Sequence, residues 1–157
     1  MLMLNSVAKK LIATVVAVVG FISTVLGIIE YLQSHPNIDL NGEWRVTNTI
    51  EHTSYAPFLK LKLGYRIFIH QDGAQIKATG EKCWENDVEY PFEARTPITL
   101  EGTIEKSKVW ITFSEHGKQR ASTGTITWII NENEKMLKGH FTSTAADANG
   151  SSIAERK

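Results

Sequence analysis

The sequence holds one cysteine, Cys83, among 157 residues. One thiol excludes an intramolecular disulfide and a zinc cage built on cysteines, and it suits a reducing compartment. An excess of either charge is also missing, because 17 basic side chains face 17 acidic ones. That balance removes the long-range attraction that duplex nucleic acid exerts on basic proteins, so no duplex partner is expected. Only Lys9, Lys10 and Glu30 among these charges precede residue 36, and the remainder is therefore close to neutral as well. The five histidines, His35, His52, His70, His116 and His140, show no metal-ligand spacing. A nucleophile elbow, a P-loop and a dinucleotide fingerprint are all absent. Carboxylates are frequent but no pair is forced onto a concave site, so the reading is a non-enzyme that needs no cofactor. "NGS" at 149–151 matches a glycosylation acceptor, a pattern common by chance.

What the chain does have begins with one long apolar run. No charge occurs from Leu11 to Ile29. Extended to Leu32, the run makes a helix of about 33 Å, against a hydrocarbon core of roughly 30 Å. "IIEYLQSHP" at its end offers no small-x-small cleavage site, which argues against a secretory signal peptide. The expectation is an N-terminal transmembrane helix over 1–33, followed by a polar linker over 34–42. Ala13, Ala17, Gly20, Thr24 and Gly27 form a small-residue stripe at the heptad period. Such a stripe lets helices approach closely in lipid, and the expected partner is a second copy of the chain. Small residues are also common in membrane helices without that role. Lys9 and Lys10 place the N-terminus in the cytoplasm and the rest outside by the positive-inside rule.

After residue 42 the period changes to two. In "EWRVTNTIE", Trp44, Val46, Asn48 and Ile50 share one face; in "KLKLGYRIFIHQ", Leu61, Leu63, Tyr65, Ile67, Ile69 and Gln71 do. Asp72-Gly73 is a hairpin signal, and "AQIKATGEKCW" returns from it. Further strands are expected at "VEYPFEA", "ITLEGTIE", "KVWITFSE", "RASTGTITWIIN" and "KMLKGHFTST". No useful helical period follows residue 36. The fold class is therefore all-β, a small eight-stranded up-and-down barrel over 43–145 with a C-terminal tail over 146–157; an open sandwich is the alternative. Glycines within strands, at 64, 80, 102, 124 and 139, favour closure.

Alternating strand direction sorts the loops into two ends. One end receives the linker, with the 72–73, 95–97 and 115–120 turns and the tail. The other collects the long 52–58 loop and the turns at 85–87, 105–108 and 131–135. Lys60, Lys62, Lys82, Lys106, Lys108 and Lys135 gather near this second end, interleaved with acids. Apolar walls with a few inward polar groups describe a small-ligand cup. The candidate binding residues are Asn48, Tyr65, Lys82, Trp84 and Trp128, with both tryptophans able to stack on a flat ring. Core filling by Trp44 and Trp128, and a merely solvated lysine rim, fit the same pattern. Cys83 and His140 fall on outward positions.

"LNGEWRV" resembles the G-x-W opening of the calycin barrels, lipocalins and streptavidin, where the tryptophan packs at the closed end; Trp44 has that place here. With "IFIHQDGAQIKATGE" and "LKGHFTSTAADANGSS", the whole chain resembles the transmembrane β-barrel effectors of bacterial cyclic-nucleotide defence, in CBASS operons and the related Panoptes system. That family carries two membrane helices, and one candidate segment is present here. The resemblance implies a single-pass protein of the bacterial inner membrane with a cytoplasmic barrel, opposite to the positive-inside reading. It implies a cyclic dinucleotide ligand, which either activates or restrains the effector, and disruption of the membrane by oligomerisation. An envelope-anchored lipocalin-like carrier of a small apolar ligand is the alternative, and a purely structural barrel with a filled core is a third.

Overall fold

The computed structural model describes residues 14–16, 18–28, 38–118, 121–131 and 135–157. The chain divides into two units, residues 1–35 and 36–157. In the first unit, 14–16 and 18–28 are helical. Val15, Val16, Val18, Val19, Phe21, Ile22, Val25, Leu26 and Ile28 are 37% to 71% exposed, so this helix buries none of its large apolar side chains. Ser23 and Thr24 donate their hydroxyls to the carbonyls of Val19 and Gly20, both at 2.9 Å. Among the described residues, no helix is long and apolar enough to cross a membrane. The continuous stretch 18–28 spans only about 16 Å. The ends of the expected span, together with Ala13 and Ala17 of the stripe, lie outside the described residues; Gly20, Thr24 and Gly27 lie on the helix.

The second unit is a closed barrel. Its strands are β1 (Gly42–His52), β2 (Lys62–Asp72), β3 (Gln75–Glu85), β4 (Val88–Glu89), β5 (Thr96–Glu105), β6 (Lys108–His116), β7 (Ala121–Ile130), β8 (Met136–Ser143) and β9 (Ala148–Arg156). All pairs are antiparallel, in the order β1-β2-β3-β5-β6-β7-β8-β9, and β9 pairs back onto β1 from Trp44↔Arg156 to His52↔Asn149. Closure leaves eight staves and no free edge, which removes the aggregation hazard of an open sheet.

The stave number matches the expectation, but two assignments change. "VEYPFEA" is not a stave: Val88 and Glu89 pair only with the end of β3, and Phe92–Ala94 is a 3-10 turn. Pro91 ends the pairing because it has no N–H to donate. The missing stave is β9, read above as a tail. Its inward residues Ala148, Gly150, Ser152 and Ala154 are small, so its period-two signal carries almost no hydropathy.

Inward positions fill the core: Trp44, Val46, Ile67, Ile76, Leu100, Ile111, Ile126, Trp128 and Leu137 are all at most 3% exposed. The end of the barrel at Gly42 is plugged by 38–40, which fall within the expected polar linker. Leu40 is fully buried, and its carbonyl accepts the indole N–H of Trp44 at 2.8 Å. Gln71 ties the plug down, accepting from Leu40 N–H and donating to the Ile38 carbonyl, each at 2.8 Å.

Miscounting one strand also reversed the later loops. Ile104 N–H bonds Ala74 O, Ile130 N–H bonds Ser107 O and Arg156 N–H bonds Lys135 O. The β5–β6 and β7–β8 connections therefore sit at the plugged end, and Lys106, Lys108 and Lys135 with them. The opposite end carries 53–61, 86–95, the β6–β7 turn and 144–147. Ser54 N–H to Ala146 O and Lys118 Nζ to Glu93 O bind these loops to one another.

Candidate functional site

Below this second end the staves leave a cavity of ≈ 200 Å³. It exceeds the roughly 150 Å³ of an engineered cavity that takes benzene, and falls short of the about 300–1,000 Å³ of sites enclosing drug-sized ligands. Its apolar wall comes from Ile50 of β1, Leu63 of β2, Phe113 of β6, Phe141 of β8 and Ala148 of β9. The loop 53–61 contributes Phe58 and Leu61. Phe58 is braced edge-on by Tyr55 at a centroid distance of 4.9 Å. The loop is held by the Ala146 carbonyl, which accepts from Ser54 N–H at 2.8 Å and from Thr53 Oγ1 at 3.0 Å. Ala146 and Asp147 have φ of 54° and 48°, a left-handed pair without glycine that costs backbone strain.

One strip of the wall is polar. Lys82 of β3 donates to Oε1 of Glu115 on β6, and the two side chains are 20% and 12% exposed. Tyr65 of β2 donates its hydroxyl to Oε2 of the same carboxylate at 3.1 Å. Asn48 of β1 lines the same strip. Burial pushes the Tyr65 phenol well above its ordinary range; the Glu115 charge adds to this, and the neighbouring Asn48 amide opposes it. Asn48 is 3% exposed and its Oδ1 has no hydrogen-bond partner among the described residues. Glu85, also in the wall, accepts the Tyr90 hydroxyl at 2.7 Å. Tyr90 is raised to about 12, first by desolvation and then by Glu85. The charged lining is thus one lysine against two carboxylates, Glu85 and Glu115.

Of the five expected binding residues, Asn48, Tyr65 and Lys82 meet in this wall. Trp84 does not. The β2–β3 register runs Tyr65↔Lys82 and then Gly64↔Trp84, so β3 carries an extra residue at Cys83. This bulge inverts the parity beyond it. Trp84 is turned to the outer wall, under the guanidinium groups of Arg45 at 4.7 Å and Arg66 at 5.5 Å. Gly64 makes room, since a Cβ there would stand 2.9 Å from that of Trp84. The same bulge buries Cys83, expected outside; its Sγ lies 3.4 Å from the Glu81 carbonyl, and burial raises the thiol. Trp128 faces inward but is core. It is fully buried, lies outside the cavity lining, and donates its indole N–H to Ser152 Oγ at 2.9 Å.

The sequence reading missed Glu115 and the three phenylalanines. Phe113 and Glu115 continue the alternation of Val109 and Ile111 in "KVWITFSE", so period two held the signal. The expected 115–120 turn claimed the same carboxylate, which hid its inward position. Among the described residues, no group of three or more His, Cys, Asp or Glu side chains is placed to hold a metal ion. No family model matches the chain, and no curated protein matches its sequence.

Proposed function

We propose that the barrel is the ligand-sensing half of a membrane-tethered effector, and that it takes one base of a cyclic dinucleotide into its cavity. The observation that carries this reading is a partly apolar cavity whose wall holds a buried amide oxygen, at Asn48, without a partner among the described residues. Phe58, Phe113 and Phe141 supply apolar and aromatic surface for a flat ring. At ≈ 200 Å³ the space suits part of such a ligand, so the phosphates stay at the mouth, where Lys60 lies in the loop 53–61 and Lys62 opens β2. The apolar helix side chains, uncovered over 15–28, support the tether: they need lipid or another copy as cover. The partners are then the nucleotide, the bilayer of the bacterial inner membrane and further copies of the chain. A ligand controls such an assembly only through unequal affinity for its two states.

A second reading is favoured by the lining charge. Two carboxylates and one lysine do not attract a phosphate, which fits an anchored carrier of a small apolar molecule. Calorimetry of the full chain in detergent against a panel of cyclic dinucleotides separates the two. Binding accompanied by a change in bilayer leakage on adding or withdrawing nucleotide supports the sensor. Absence of nucleotide binding, with uptake of neutral apolar molecules, supports the carrier.

A further inference from the structure

We infer that the cavity selects a neutral, flat, one- or two-ring group that donates an N–H to Asn48, and rejects its donor-free and anionic counterparts. The inference rests on the ligand-binding reading above and goes beyond it by assigning the chemistry of the selected group. It follows from the direction of the polar strip. Glu115 as a carboxylate only accepts, and it takes a proton donor on each oxygen, Lys82 on Oε1 and Tyr65 on Oε2. The one proton of Tyr65 is thereby committed, so Tyr65 cannot donate to Asn48. The buried Oδ1 of Asn48 is the group left over, without a partner among the described residues. Both donors of the strip run toward Glu115, and what remains beside them is an acceptor. A buried acceptor left unpaired costs about 1–3 kcal/mol, which a ligand N–H recovers.

Charge decides against the alternatives. A carboxylate or phosphate inside would have to draw Lys82 from Glu115 and would face Glu85 as well. A ring with an oxygen in place of the N–H would meet Oδ1 lone pair to lone pair. The size limit comes from the ≈ 200 Å³ of space.

The test uses the full chain in detergent and three probes of one size class: indole, its isostere benzofuran without the N–H, and benzoate. Binding is read by calorimetry. Indole is expected to bind about tenfold or more tighter than benzofuran, with benzoate unbound. Asn48→Leu should abolish the indole advantage and leave benzofuran affinity near its original value. Glu115→Gln, which keeps the shape of the strip but frees its direction, should shrink the advantage without abolishing binding of either ring. Equal binding of indole and benzofuran, or an advantage that survives in both variants, overturns the inference and leaves the ligand-binding reading standing. A cavity that takes neither ring and no nucleotide overturns both.

Discussion

Tyr65 and Tyr90 hold their protons more tightly in the barrel than in an unfolded chain, because ionisation would put a phenolate beside Glu115 or Glu85 in a desolvated wall. An acid with a raised folded pKa stabilises fully below its unfolded value, and that contribution is lost as pH rises beyond it. Stability should therefore fall between pH 10 and about 12, the window set by Tyr90. Denaturant midpoints measured across this range should decline, and Tyr90→Phe or Tyr65→Phe should flatten the decline. A second residue-scale prediction concerns Gly139. A Cβ there would stand 1.8 Å from the Thr127 carbonyl of the neighbouring strand, backbone that cannot step aside cheaply. Gly139→Ala should lower stability by about 1–3 kcal/mol, the usual cost of overpacking, read from chemical denaturation. Asn48, Tyr65 and Lys82 were legible because period two fixes which side of a strand a residue takes. Trp84 was not, because the bulge at Cys83 is a backbone decision that leaves no mark in hydropathy.

At the scale of the element, the sequence signal failed in opposite directions at β4 and β9. Tyr90 and Phe92 look like strand residues by type, yet Pro91 between them has no N–H for a ladder bond in mid-stave, and this segment is spent in a loop above β3. "ANGSSIAER" looks like a tail because its inward residues are small, yet it joins β8 to β1 and closes the cylinder. The bulk these residues lack is supplied by neighbours: Ser152 lies inward beneath the indole of Trp128 and accepts its N–H. Removal of residues 148–157 should thus unfold the barrel, since it leaves β1 and β8 with bare edges and exposes Trp44 and Trp128. Replacement of 87–94 by a short turn should leave it folded, because β3 and β5 pair directly from Gln75↔Thr103 to Lys82↔Thr96. Circular dichroism and thermal unfolding of the two variants check both outcomes; survival of the truncated chain would show that β9 is not a required stave.

For the whole molecule, closure of the barrel was legible from many weak, repeated signals, whereas the order of its ends hung on one count. Counting the 88–94 segment as a stave reversed every later strand, and so moved half the lysines to the wrong mouth. The apolar N-terminal run was legible without any count, and its described helix raises a separate question: what covers it. Among the described residues, nothing lies within 4 Å of where a Cβ would be at Gly20 or Gly27, so a leucine at either position meets no obstacle on the described helix. Thr24, on the same stripe, already satisfies its hydroxyl on the Gly20 carbonyl and makes no polar demand on a partner. The proposed self-association would place the penalty of Gly20→Leu with Gly27→Leu between copies, where small residues let backbones approach and dispersion supplies the attraction. On the proposed tether and self-association, the double variant is expected in the membrane fraction with its oligomers dissociated, as read by sedimentation in detergent. Unchanged oligomers would mean that assembly is made by another surface.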